Sequence, residues 1–246
     1  MKAVAFLLLF LALWIAPQSH AAPLAPGASS FEVQHDGKAI PVWYYLPEAA
    51  RSDAPVLIVM HGVNRDADRY RDEWTPHAKK HGFILIAPEF SKEAFPGSDG
   101  YNLGTEGAFQ FIEPVFDAVK AATGNRSERY HLYGHSAGAQ FVHRFLYFVP
   151  QARVAKAGWW TMPDPEIDFP YGLRGSTVDA AALRAMLQRP LIVLLGTADT
   201  DEHHINLRRT PEALAWTELF RRRKKARGSA ACAARLAVGD RTGRGA

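Results

Sequence analysis

The five residues Gly134-His135-Ser136-Ala137-Gly138 constrain this chain more than any other stretch. They join two segments of different period. Arg129-Tyr130-His131-Leu132-Tyr133 reads as a short strand. Ala139 to Val149 reads as a helix, with Phe141, Val142, Phe145, Leu146 and Val149 at helical spacing and Pro150 as its stop. A strand that passes into a helix with almost no connecting chain must bend sharply. The central residue is expected in a strained, left-handed conformation costing about 1–3 kcal/mol, and small residues two positions to either side relieve the crowding. The turn sets the Ser136 hydroxyl at the strand's end and aims the positive end of the helix at any negative charge that develops there. The alternative is a Gly-rich turn with an incidental serine, and the strand and helix flanks weigh against it.

The 246 residues are 48% hydrophobic and 22% charged, enough for one sizeable core. Residues 22–215 are expected to form that single domain. Before it, Lys2 and the apolar run Ala3 to Ile15 lead to Ser19-His20-Ala21, a small-x-small pattern. This reads as a secretory signal peptide over residues 1–21, cleaved after Ala21 or, failing that, Ala22, and too short to span a bilayer. An uncleaved N-terminal anchor is the alternative. The destination is then the periplasm or the medium, an oxidising compartment, yet Cys232 is the only cysteine. No intrachain disulfide can form, so stability rests on the core.

The formal charge of +4 hides an asymmetry. From Phe220 onward there are nine Arg or Lys and one Asp, a net of +8, whereas the remainder carries 20 basic and 24 acidic residues, a net of −4. A basic tail on a mildly acidic body is a candidate arm for nucleic acid or anionic membrane.

Phe31 to Gln34 and Ile40 to Leu46 alternate like strands, and His35-Asp36-Gly37-Lys38 between them is a hairpin signal. Pro55 to Met60 and Phe83 to Ala87 are near-continuous apolar runs, as in buried parallel strands. Asp66 to His81 reads as a polar, partly helical connection. Tyr101 to Gly107 reads as loop, and Ala108 to Ala122 as a helix ended by Gly124. Val154 to Trp160 is a strand and Thr161 to Ser176 a Pro- and Gly-rich excursion. Thr177 caps a helix running to Gln188, and Leu191 to Leu195 is a further strand, ending at Gly196-Thr197-Ala198-Asp199. A hairpin followed by alternating strands and helices predicts an α/β fold with a mostly parallel sheet covered on both faces. Ligands of such sheets bind beyond the carboxyl ends of the strands, which is where His61-Gly62, Ser136 and Asp199 fall.

His61-Gly62 after a buried strand, Gly134-His135-Ser136-Ala137-Gly138, and Gly196-x-x-Asp199 occur in that order. In this the chain resembles the α/β-hydrolase fold superfamily. More narrowly it resembles secreted serine esterases that include polyhydroxybutyrate depolymerase-like and feruloyl-esterase-like members, over roughly residues 29 to 215. The resemblance implies an α/β-hydrolase fold whose nucleophile elbow presents Ser136 as the acyl-accepting nucleophile. It implies an oxyanion hole made of the Ala137 amide and, from the loop after His61-Gly62, the Val63 amide. Asp199 would orient the base, with Asp201 as the nearby alternative. The His61 side chain is expected to be structural. Trp159 and Trp160 are candidates to line an acyl pocket, although alternation puts one of them in the core. The implied reaction is hydrolysis of a small or polymeric carboxylic ester without metal or organic cofactor. No zinc-like Cys/His spacing and no phosphate-binding Gly-Lys-Ser/Thr loop is present.

The superfamily order is Ser, acid, His, and after Asp199 the only histidines are His203 and His204. They are candidates for the base or solvated loop residues. His135, His143, His131, His77 and His81 all fit the role badly. Where a further strand and a Gly-x-x-His-like loop are expected, the atypical tail 216–246 stands instead, and 18 of the 26 residues from Arg221 onward are Arg, Ala or Gly. That is the composition of a GC-rich coding sequence read out of frame, so the C-terminal end of the fold is expected to be incomplete. Two rival readings follow. One is a crippled hydrolase-fold protein without its triad histidine; the other is a polyanion binder acting through Arg221 to Arg227, although nucleic acid is not the expected partner.

Overall fold

The computed structural model describes residues 22–104, 106–158, 168–170, 172–192, 209–211 and 214. The proposed signal peptide and the basic tail lie outside the described residues.

Strands β1 (Gly27–His35) and β2 (Lys38–Leu46) form the N-terminal antiparallel hairpin. Asp36 and Gly37 take φ of 47° and 75° at its turn. Two consecutive positive φ values are what a two-residue type I′ turn requires, and Asp-Gly supplies them at low cost. The chain continues through β3 (Val56–Met60), α1 (Ala67–His81), β4 (Ile84–Pro88) and the single turn α2 (Gly97–Gly100). A 3₁₀ turn, Ala108–Phe111, then leads into α3 (Ile112–Thr123). After it come β5 (Tyr130–Gly134), α4 (Ala137–Phe148), β6 (Val154–Gly158), α5 (Ala180–Leu187) and β7 (Leu191–Ile192).

Among the described residues the seven strands form one sheet in the order β1-β2-β4-β3-β5-β6-β7. The β1–β2 and β2–β4 pairs are antiparallel and the rest parallel. This is the α/β-hydrolase architecture expected from the sequence. The continuous apolar runs are explained by burial on both faces. Val56, Ile58 and Met60 of β3, with Ile84 and Ile86 of β4, pack into the main core with Val115, Phe116, Phe141, Phe145 and Met186 of α3, α4 and α5. The intervening Leu57, Val59 and Leu85 face Tyr70, Trp74 and Ala78 of α1. Alternate residues on a strand point to opposite faces, so helices on both sides leave neither set exposed.

Two local expectations need correction. The stretch expected to be partly helical is a continuous helix of 15 residues, α1, despite Pro76 inside it. Tyr70, Trp74 and Ala78 lie four residues apart, and packing that stripe against the sheet outweighs the helix-breaking tendency of one proline. The helix ends at Gly82, where φ is 69° and the N–H bonds to Ala78 O at 2.8 Å. The second correction is the cap of α5, which is Asp179, not Thr177. Asp179 Oδ1 accepts from the N–H groups of Ala181 and Ala182 at 2.8 and 2.7 Å. Ser176 folds the preceding residues into a turn by donating to Leu173 O and accepting from Val178 N–H, so the helix starts later.

Candidate active site

Ser136 stands between the end of β5 and the first residue of α4, with φ 55° and ψ −119°. The positive φ was expected, but ψ lies outside the left-handed helical well. The Gly138 N–H donates to His135 O at 2.9 Å, so residues 135–138 close a β-turn. Ser136 occupies its second position with the dihedrals of a type II′ turn, where glycine is normally found. The strain is therefore that of a reversed peptide plane, needed to turn the strand into the helix within one residue.

The flanking glycines make the turn sterically feasible. A Cβ on Gly134 would overlap the Gly138 carbonyl, and a Cβ on Gly138 would overlap the carbonyl oxygens of Met60 and His61. The elbow helix is thus pressed directly on the end of β3. In the parallel β3–β5 pair Met60 lies opposite Gly134, so the loop that starts at His61 and the turn that holds Ser136 leave the sheet side by side. Were Gly62 to carry a Cβ, it would sit 3.9 Å from Ser136 Cβ. Ser136 and Val63 are solvent-exposed, Val63 by 61%. Among the described residues, neither the Ala137 nor the Val63 amide N–H has a hydrogen-bond acceptor.

Buried groups hold the 61–65 loop in place. Nε2 of His61 accepts the Phe90 N–H at 3.0 Å, which fixes the proton on Nδ1, 3.0 Å from Gly62 O. Burial pushes this imidazole down to about 4, so it is neutral at pH 7. The Tyr101 hydroxyl donates to His61 O at 2.8 Å, and its ring stacks on the imidazole. Arg65, buried and with φ 67°, closes a turn onto Gly62 O. Its guanidinium donates to the carbonyls of Phe90, Phe95 and Gly97 at 2.5, 3.1 and 2.8 Å and lies over the Tyr101 ring. Arg65, Tyr101 and Tyr70 were not singled out from the sequence as site residues. The Asn64-Arg65-Asp66 run marks a turn, but nothing in it signals that the arginine is buried.

The structure brings Ser136, Ala137, Gly62 and Val63 together. Asp199, the alternative Asp201, His203, His204, Trp159 and Trp160 lie outside the described residues. The topology does place the strand preceding Trp159 beside β5, and β7, which precedes Asp199, one strand further out. His143 is buried within α4, its Nδ1 3.3 Å from Ala139 O. His135 Nδ1 lies 2.9 Å from the Tyr70 hydroxyl. Among the described residues, no group of three or more His, Cys, Asp or Glu is placed to hold a metal. Nor is any helix there long and apolar enough to cross a membrane.

A mostly parallel sheet covered by helices, with an N-terminal antiparallel hairpin and a sharp strand-to-helix turn at Ser136, is the α/β-hydrolase fold. Comparison with known proteins narrows the class. Poly(aspartic acid) hydrolase-1 from Sphingomonas sp. KT-1 is 46% identical with a TM-score of 0.74, the match covering 78% of this chain and 80% of the other. LpqC, a poly(3-hydroxybutyrate) depolymerase from Bordetella parapertussis, is 30% identical with a TM-score of 0.71, over 83% and 80% of the two chains. A thermostable esterase at 16% identity and a TM-score of 0.50, over 68% and 45%, shares the fold alone. No protein-family model matches the chain, and no curated protein does. The chain belongs to the esterase- and depolymerase-like family of α/β hydrolases and is a hydrolase of that fold.

Proposed function

We propose that the protein is an exported serine hydrolase that cleaves carboxylic esters, polymeric ones included, through an acyl-enzyme on Ser136. The observation that carries this reading is the II′ conformation of Ser136, held by two glycines that cannot be replaced without collision. Strain of that kind persists only where surrounding structure imposes it, and it clusters at functional sites.

The chemistry follows from the placement. Ser136 Oγ attacks the ester carbonyl while its proton passes to a general base. The carbonyl oxygen becomes an oxyanion, held by the Ala137 and Val63 N–H groups and by the N-terminus of α4. Collapse breaks the C–O bond, the leaving alkoxide takes the proton, and water then releases the acyl group by the same steps. Asp199 orients the base, and His203 and His204 are the histidines that follow it.

Two observations favour narrower readings. The 46% identity to a poly(aspartic acid) hydrolase favours a polymer with amide linkages, which the same acyl transfer would open. Against any activity stands the engagement of three described histidines: His61 uses both ring nitrogens, His135 faces Tyr70 and His143 is buried. That favours a chain lacking its triad base unless His203 or His204 supplies it.

One experiment separates these. Hydrolysis of p-nitrophenyl butyrate, poly(3-hydroxybutyrate) and poly(aspartic acid) is measured for the parent and for Ser136→Ala, His203→Ala and His204→Ala. Ester turnover lost in Ser136→Ala supports the proposal, and turnover of poly(aspartic acid) alone favours the amide reading. Equal rates in parent and Ser136→Ala would refute Ser136 as nucleophile. A parent roughly 10³-fold slower than related esterases, and unaffected by either histidine substitution, marks the missing base.

A further inference from the structure

The two amides proposed to hold the oxyanion come from different strand ends. An oxyanion hole works only if both donors sit about 2.7–3.1 Å from one point. Backbone pairing between β3 and β5 ends at Met60 and Gly134, before either donor. Contacts beyond the sheet set the spacing of the 61–65 loop and the 135–138 turn: the seating of Gly138 on the Met60 and His61 carbonyls is one, at the base of both, and a side-chain contact is a second.

Tyr70 stands between them. It rises from the first turn of α1 and is 4% exposed, packed with Val59 and Leu85. Its hydroxyl is 2.9 Å from Nδ1 of His135, the residue before Ser136. The same hydroxyl lies 3.1 Å from the point a Gly62 Cβ would occupy. One oxygen therefore touches both walls of the site, and a side chain at residue 62 would intrude between it and Ser136. Burial raises the phenol above its ordinary value, against the opposing charge of Arg69, so it keeps its proton.

We infer that Tyr70 is a positioning residue: its hydroxyl sets the distance between the loop bearing Val63 and the turn bearing Ser136 and Ala137. The catalytic part of this inference rests on the proposed function; the coupling of loop to turn does not. The ring fills space in the α1 core, whereas the hydroxyl alone spans the two walls. Tyr70→Phe therefore separates packing from positioning.

The test uses the purified full chain and two independent readouts. Amide hydrogen exchange at Arg65 and Gly138, whose N–H groups close the two turns onto Gly62 O and His135 O, is followed by NMR and reports local opening without any need for turnover. In Tyr70→Phe both amides are expected to exchange about tenfold faster, while those of β3 and β4 keep their rates. With p-nitrophenyl butyrate, kcat is expected to fall about tenfold with KM within twofold, the signature of displaced groups in the transition state. His135→Ala should reproduce the effect, and the double variant should be no slower than the slower single. Unchanged exchange at Arg65 and Gly138 in Tyr70→Phe would overturn the inference, as would losses that multiply in the double variant. If exchange responds but neither parent nor variant hydrolyses ester, the coupling stands and the proposed function falls.

Discussion

Phe90 donates its backbone N–H to Nε2 of His61 at 3.0 Å, across the ends of β4 and β3. That bond needs an unprotonated nitrogen. It makes a fully buried histidine part of the scaffold under the candidate site, and it ties stability to pH. Burial lowers the folded-state value to about 4, against an unfolded value near 6.5. The unfolded chain thus binds the proton more readily. Stability from this group is complete above about pH 6.5, declines as pH falls, and is lost once pH passes through about 4. The difference corresponds to about 3 kcal/mol. Urea denaturation at pH 7.5 and 4.5 should show the parent losing more stability than His61→Gln, which has no titrating ring. Parallel losses in both would show that His61 is not the group responsible.

Gly138→Ala places a methyl group against the carbonyls of Met60 and His61. Both neighbours are backbone, at the end of β3 and the first residue beyond it, and cannot swing aside. The expected destabilisation is about 1–3 kcal/mol, the range for overpacking, together with loss of fluorophosphonate labelling at Ser136. A variant with parental melting temperature and labelling would mean that α4 is less tightly seated on β3 than described.

Ser136 itself offers a sign test. At φ 55° and ψ −119° a glycine is at ease and an L-residue is not. Ser136→Gly is therefore expected to be more stable than Ser136→Ala by about 1 kcal/mol, within the range for relief of backbone strain. Both should be inert to fluorophosphonate. Chemical denaturation of the pair decides the matter, and an alanine variant at least as stable as the glycine one would contradict the strain argument.

Arg65 joins the 61–65 loop to three carbonyls of the 90–97 segment. Lysine keeps the charge but not the planar fork that serves all three. Arg65→Lys should cost about 1.5–3 kcal/mol, the scale of hydrogen bonds to a charged group, and should lower kcat more than it raises KM. Thermal melts and steady-state kinetics check both halves. A variant that melts like the parent would remove Arg65 from the scaffold.

The fold was legible because its signals are local. Asp36-Gly37 can accept the positive φ values of a hairpin turn. The runs around Ile58 and Ile86 suit only strands buried on both faces, and Gly134-x-Ser136-x-Gly138 between a strand and a helix leaves one sharp turn. Each depends on residues a few positions apart and on backbone sterics that sequence displays directly. Around the site, what tertiary structure decided was which polar groups are buried and with whom. Arg65 reads as a surface charge until the 90–97 segment folds over it. Tyr70 reads as one more apolar residue of a polar helix until its hydroxyl meets His135, 65 positions away. The exact ψ of Ser136 and the partner of His61 belong with these, because they depend on β3, β4 and β5 ending side by side. Hydrophobic periodicity records which face of an element is inward. It does not record the partner waiting there, since that contact exists only once distant strands have paired.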